Sequence, residues 1–347
     1  MPEAPNPHDH AVVIAVRRYA DVAAGWVTQL EGPDNDAAAV ADWLTDPQGG
    51  GLDPGNVTRV VASGADPSGR PAPDQRGVIE ALDRIAQLPK DAYDGQYAGR
   101  RLYVHVSGHG WAREPDEAAV VTAEATLANP VNVLVTSWTR WMHKAAPFQE
   151  LVLWADTCAT RTPLKLLQGC VLPEAVSPNL AQVKLFEGFA APLGYRAVEN
   201  TMPDGRCHGA FTYALLEGLR GAPRPVTSTS LRDYLHNAMK GFLSPDQRRR
   251  KTVAQEPAFG RTDPIVFATE GAPAFAVTLR FAPEHVGRRV FVGTGRQATP
   301  RAETVLAAPE WTVQLPAGFW GAFVDGTPVS KGFEVTGARV DGPVNVP

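Results

Sequence analysis

Leu151-Val-Leu-Trp-Ala-Asp-Thr-Cys-Ala-Thr-Arg161 (LVLWADTCATR) sets five apolar residues directly against Asp156, Thr157 and Cys158. An apolar run of that length, without alternation, reads as a parallel strand buried on both faces. In open α/β sheets ligands bind outside the carboxyl ends of such strands. Arg101-Leu-Tyr-Val-His-Val106 has the same build and ends in Ser107-Gly108-His109-Gly110. Two core strands thus deliver a histidine and a cysteine to one edge of one sheet.

Further strands are expected at Ala11 to Val16, Val57 to Ala62, Leu185 to Ala190 and Pro264 to Ala268. Between them fall helical patterns at Ala37 to Leu44, Gln75 to Leu88, Val133 to Ala146, Gly209 to Leu219 and Ser230 to Met239. Val78, Leu82 and Ile85 share one helix face, and Trp138, Trp141 and Met142 read as a packing face rather than a ligand site. Strands alternating with helices imply right-handed crossovers and a mainly parallel sheet, an α/β class. From about Ala274 the texture changes to short alternating runs between Pro/Gly turns, the pattern of a small antiparallel β-domain. The expected organisation is a tail at 1–10, an α/β domain at 11–270 and a β-sandwich-like domain at 271–347. The connection from Ala159 to Lys184, with prolines at 163, 173 and 178, is long enough to be functional or mobile.

The chain has 347 residues, 44% hydrophobic, with a net charge of −4. That balance supports a sizeable core and gives no global field toward nucleic acid, which is not expected as a partner. The basic run Arg248-Arg249-Arg250-Lys251 reads as a solvated loop. The first ten residues lack the pattern of a signal peptide, and no apolar run reaches the roughly 18 residues of a membrane span, so neither export nor membrane binding is expected. Cys158, Cys170 and Cys207 are the three cysteines, without CxxC spacing, which argues against a disulfide framework and structural zinc. The expected setting is the reducing cytoplasm, where a thiol stays available. His105, His143, His236 and His285 lack metal-ligand spacing, and His105 reads as a core residue; no metal is expected.

A thiol is only a few per cent ionised at neutral pH, and an adjacent imidazole raises its thiolate fraction. The same imidazole can protonate a departing amine. The backbone N–H groups of Cys158 and Gly110 are the natural donors to an oxyanion, Gly110 being expected to let a substrate carbonyl come close. Singly these features have plainer readings: a buried small hydrophobe for the cysteine, a turn for His-Gly. Their coincidence at two strand ends gives the chemistry its weight.

The chain resembles the caspase-like (clan CD, C14) cysteine peptidases, and among them the bacterial metacaspase-like branch. The stretches that carry the likeness run in order: Ala11 to Val16; Leu30-Glu-Gly-Pro-Asp-Asn-Asp-Ala37; Val106-Ser-Gly-His-Gly110; Asp156-Thr-Cys158; and Gly209 to Leu219. Cys158 also follows His109 by 49 positions, near the roughly 50 of caspases. The resemblance covers about Ala11 to Ala268, and not the β-domain. It implies a caspase-like three-layer sandwich, a catalytic dyad of His109 and Cys158, and cleavage after Arg or Lys in a pocket formed by Asp36, Ser107 and Asp156. The chain departs from the pattern at Ala159-Thr160-Arg161, where the family has a Ser-Gly-type turn, and at Pro33, where it has a cysteine. The Gln-Ala-Cys-Arg-Gly block of animal caspases is absent. Taken singly, Asp36 reads as a helix cap, Asp156 as a strand-end turn residue and Ser107 as a filler before glycine.

The implied function is a cysteine endopeptidase cleaving after basic residues through a thioester acyl-enzyme, in regulated bacterial proteolysis such as defence or cell death. Its partners would be a protein or peptide substrate and an activating protein. The alternative is a catalytically inactive caspase-like scaffold. Arg161, Lys165 and Lys184 fall in the segment where the family carries an activation linker, as candidate cleavage points, and Asp204-Gly-Arg206-Cys-His208 is a second candidate loop, in which His208 reads as filler. No cofactor is required; Glu114, Asp116 and Glu117 are the candidate calcium ligands, or else an exposed acidic turn.

Overall fold

Both apolar runs lie in the middle of a six-stranded sheet. The computed structural model describes residues 6–23, 25–61, 71–89, 92–161, 167–221, 225–268, 274–293, 300–316, 318–335 and 343–347. They divide into two compact units, Met1–Gly218 with Val226–Ala268, and Leu219–Pro225 with Thr269–Pro347.

In chain order the first unit contains β1 (His10–Ala15), α1 (Pro33–Thr45), β2 (Val57–Val61), α2 (Gln75–Ala86) and β3 (Gly99–Gly108). The short strands β4 (Gly110–Ala112), β5 (Ala119–Val121) and β6 (Asn132–Leu134) precede α3 (Val135–Ala145), β7 (Phe148–Thr157) and β8 (Thr160–Arg161). Then come β9 (Lys184–Phe189), β10 (Glu199–Thr201), β11 (Cys207–Gly209), α4 (Ala210–Gly221, in this unit as far as Gly218), β12 (Val226–Thr227) and α5 (Ser228–Ala238). The unit closes with α6 (Pro245–Arg249), β13 (Ala258–Thr262) and β14 (Val266–Ala268).

The main sheet has the order β13-β9-β7-β3-β1-β2 and is parallel except for β13. This antiparallel edge was not expected from the sequence. The expected strand at Pro264 to Ala268 shrinks to β14, which pairs with β12 outside the main sheet. Register sets Leu102, Val104 and Val106 beside Leu151, Leu153 and Ala155 on one face, packed with Val78 and Leu82 of α2 and Trp138 and Met142 of α3. The opposite face carries Tyr103, His105, Ser107, Trp154 and Asp156. There Trp43 of α1 meets Tyr103 and Trp154 edge-on, with ring centroids 6.0 and 5.8 Å apart. Phe211 of α4 lies against the Gly188 position of β9. Helices on both faces make a three-layer α/β sandwich.

A second, four-stranded sheet, β6-β5-β4-β8, grows from the carboxyl ends of β3 and β7. It takes in the two ends of the Trp111–Val121 segment, paired antiparallel as β4 and β5. The described part of the long 159–184 connection is tied to α3: Trp141 Nε1 donates to Pro173 O (2.8 Å) and Ser177 N to Lys144 O (2.8 Å). Residues 6–10, expected as tail, are tied down as well, with Asp9 buried and bonded by Arg100 Nε at 2.8 Å. Among the described residues no helix is long and apolar enough to cross a membrane.

The second unit holds β15 (Ala274–Phe281), β16 (Arg289–Gly293), β17 (Ala302–Val305), β18 (Glu310–Pro316), β19 (Gly318–Val324), β20 (Ser330–Val335) and β21 (Val344–Val346). Its sheets, β18-β15-β21 and β17-β16-β19-β20, share one core around Val277, Leu279, Val290, Val292, Trp320 and Val324. All pairings are antiparallel except β15 with β21, a departure from the purely antiparallel expectation.

Candidate active site

A pocket of about 70 Å³ opens at the carboxyl ends of β3 and β7, and Asp36, Ser107, His109, Asp156, Cys158 and Glu199 line it. Adjacent pairing of Ser107 with Asp156 and of Gly108 with Thr157 fixes the lateral register of the two strand ends. Five of the six residues singled out in the sequence therefore converge.

His109 stands half-buried just past β3. Its Nε2 lies 2.8 Å from Thr28 O and 3.3 Å from Thr28 N. The shorter contact, to a carbonyl, requires a proton on Nε2, so Nδ1 carries the lone pair. Tyr19 secures the backbone: its hydroxyl accepts from His109 N (2.8 Å), donates to Val16 O (2.9 Å), and its ring lies 4.9 Å from the imidazole. Gly108, at φ +154°, lets this clamp close, since a Cβ there would lie 3.0 Å from the Tyr19 hydroxyl. Burial pushes His109 below the usual imidazole range, partly offset by the Thr28 carbonyl bond.

Cys158 Sγ contacts Ala197 O at 3.7 Å. Burial pushes its thiol up to about 11, opposed by that contact and by the charge of exposed Arg196. Burial thus favours the neutral form of both the thiol and the imidazole, and each contacts a backbone carbonyl. At Gly110 a Cβ would lie 2.5 Å from Thr157 Cβ, so packing on β7 by itself already demands the glycine. Val121 N donates to His109 O (2.9 Å), which makes Gly110 and Val120 a non-hydrogen-bonded pair and turns the Gly110 N–H away from β5. It faces the side on which β8 follows Cys158.

The two aspartates differ in their surroundings. Asp36, fully buried on the first turn of α1, is not a cap; the N-cap is Gly32, which makes no side-chain bond. Its carboxylate accepts from Ser107 Oγ (2.8 Å), His208 Nδ1 (2.9 Å) and Gly209 N (3.2 Å). Asp156 Oδ2 accepts from Thr212 N (2.9 Å) and Thr212 Oγ1 (2.8 Å). Burial, with the charge of Asp36 added, lifts Asp156 to about 7 against the pull of the Thr212 bonds. A Cβ at Gly209 would fall 2.1 Å from Asp156 Oδ2, so no other residue fits between the aspartates. His105 Nε2 reaches the Thr212 hydroxyl at 3.2 Å, and burial lowers His105 to about 3. The core reading of His105 stands, but it is coupled to the site through Thr212.

Several functional neighbours were not legible in sequence. Glu199 adds a third carboxylate from β10, and His208, read as filler, pairs with Asp36 and with Asp204 (3.0 Å). Tyr19 and Thr28 lie in a loop without pattern. The Gly209 to Leu219 motif did mark Gly209 and the helix bearing Thr212. In the acidic turn Glu117 Oε2 accepts from Arg113 N (3.0 Å) and Glu114 N (3.2 Å). Of the linker residues, Arg161 is exposed on β8, Lys184 belongs to β9, and Lys165 lies outside the described residues.

In sequence the chain is 28% identical over 227 residues to a probable protease of a Desulfuromonadales bacterium; the match covers 61% of this chain and 26% of that protein. The chain thus spans about a quarter of the relative's length. The crystal structure of caspase-1 from Spodoptera frugiperda aligns over 77% of this chain and 92% of that one, at a TM-score of 0.48 and 15% identity. No protein-family model matches the chain.

Proposed function

We propose that the chain is a cysteine endopeptidase of the caspase-like type, in its bacterial metacaspase-like branch, cleaving after Arg or Lys. The observation that carries this reading is the convergence of a thiol, an imidazole and three carboxylates on one small pocket. With Nε2–H held by Thr28, Nδ1 of His109 takes the Cys158 proton as Sγ attacks the scissile carbonyl. The N–H groups of Cys158 and Gly110 receive the oxyanion. His109 then returns its proton to the leaving amine, and water hydrolyses the thioester with His109 as base. Asp156, Ser107 and Asp36, joined by Glu199, suit a cationic first substrate residue by charge. A role in regulated proteolysis in the bacterial cytoplasm, with an activating partner, follows from this assignment.

A second reading, an inactive binding scaffold, draws on the neutral state of the pair and on the separate backbone partners of the two side chains. Apo geometry often tightens only with substrate. Matched fluorogenic peptides ending in Arg, Lys or Asp, with and without calcium, decide between them. Cleavage after Arg or Lys that vanishes in Cys158→Ala is expected. Cleavage after Asp would overturn the pocket, and an unlabelled Cys158 in a thiol-probe assay without any cleavage would favour the scaffold.

A further inference from the structure

His208 sits in β11 with a carboxylate on each ring nitrogen: Asp36 on Nδ1 at 2.9 Å and Asp204 on Nε2 at 3.0 Å. Only a doubly protonated ring can donate in both directions. The Asp204 side chain is 41% exposed, the His208 side chain 3%. The ring also lies 5.7 Å from that of Tyr213 of α4, between centroids, and His208 is paired with Asn200 across the hairpin. Asp36 has no exposure, and with Ser107, His208 and Gly209 all donating to it, few lone pairs remain for anything entering the pocket. Asp156 is arranged differently: both of its recorded donors come from Thr212 and fall on one oxygen, Oδ2.

We propose that His208 is a positioning residue, an internal counter-cation that neutralises Asp36, so that of the two buried aspartates Asp156 alone meets a cationic substrate group. The inference rests on the reading of the pocket as a cation site and changes who does the binding there. Ser107 becomes a support for Asp36 and not a substrate contact. Burial opposes charge on His208, but the bonds to and charges of Asp36 and Asp204 outweigh it and hold the imidazole above its ordinary range. The other charged neighbours of the pocket, Glu199 on β10 and Arg196 in the preceding loop, are left in place by the test.

The test is benzamidine binding by calorimetry at pH 7.5 to wild type, His208→Gln, Asp36→Asn and the double variant. Freeing Asp36 adds a negative charge within a few ångströms, worth about tenfold in affinity. His208→Gln is therefore expected to bind about tenfold more tightly, Asp36→Asn about tenfold more weakly, and the double variant within about threefold of wild type. A double variant as weak as Asp36→Asn would mean that Asp36 touches the cation directly, and would overturn the inference. So would an unchanged affinity in His208→Gln. Should a variant not fold, ¹⁵N spectra of the wild-type ring decide alone: both nitrogens protonated at pH 7.5, a unit above the ordinary 6.5, support the counter-cation, and a neutral ring sinks it. A charged ring in a wild type that binds no benzamidine supports the counter-cation and instead removes the basic-residue specificity proposed above.

Discussion

Asp156 is where one side chain bears on both the proposed pocket and the stability of the fold. Removing one partner of a buried ion pair typically costs ~2–5 kcal/mol. Asp156→Ala is therefore expected to lower kcat/KM on an arginine peptide by about thirtyfold or more; a loss below about threefold in a folded variant would take it out of the pocket. Its titration gives a second, independent outcome. A carboxyl raised from 3.8 to about 7 binds more protons in the folded than in the unfolded chain between those values. Its contribution to stability is complete below about pH 4 and is lost as pH rises through 7. Asp156→Asn, which keeps the shape and an acceptor for Thr212, should accordingly raise Tm relative to wild type at pH 8 by a few degrees. The gain should fade below about pH 5, and a pH-independent difference in melting scans would contradict the assignment.

The helix that carries Asp36 begins without a capping side chain of its own. Pro33 supplies a preset φ at its first turn, and Glu199 of β10 reaches across to take Gly32 N at 2.8 Å and Glu31 N at 3.1 Å. Glu199→Ala should cost roughly 0.5–2 kcal/mol in urea unfolding, the range of a lost N-cap, whereas Glu199→Gln should recover part of it. A neutral Ala variant would show that the helix start is held by other contacts. Elements of this kind mark the border of what the sequence discloses. The apolar runs at Val104 and Leu153, with the polar residues that follow each, announced the central strands because burial on both faces leaves no polar position. Periodicity announced α2 and α3 for the same reason. The edge strand β13 and the three-residue strands β4 to β6 were silent, being too short or too mixed for a period to register. Glu199, His208 and Tyr19 were silent because their roles depend on partners 168, 172 and 90 positions away, which no local pattern encodes.

Each of the two units buries its own apolar core, the second around Leu279 and Val290. Leu279→Ala should thus lower the stability of the C-terminal unit by roughly 2–5 kcal/mol. Two calorimetric transitions are expected, of which the mutation moves one, and peptide cleavage below that transition should be unchanged. Cleavage falling in step with the mutation would show that the site leans on the C-terminal core. The small sheet has a bearing of another kind. His109 is the one residue between β3 and β4, and Cys158 opens the two-residue step from β7 to β8. β3 is paired with β7 and β4 with β8, through Gly108–Thr157 on one side and Trp111–Thr160 on the other. The imidazole and the thiol therefore stand at the two corners of a single crease, along which the large sheet gives way to the small one. The spacing of the two candidate groups is therefore set by strand pairing alone, by β3 on β7 below the crease and by β4 on β8 above it.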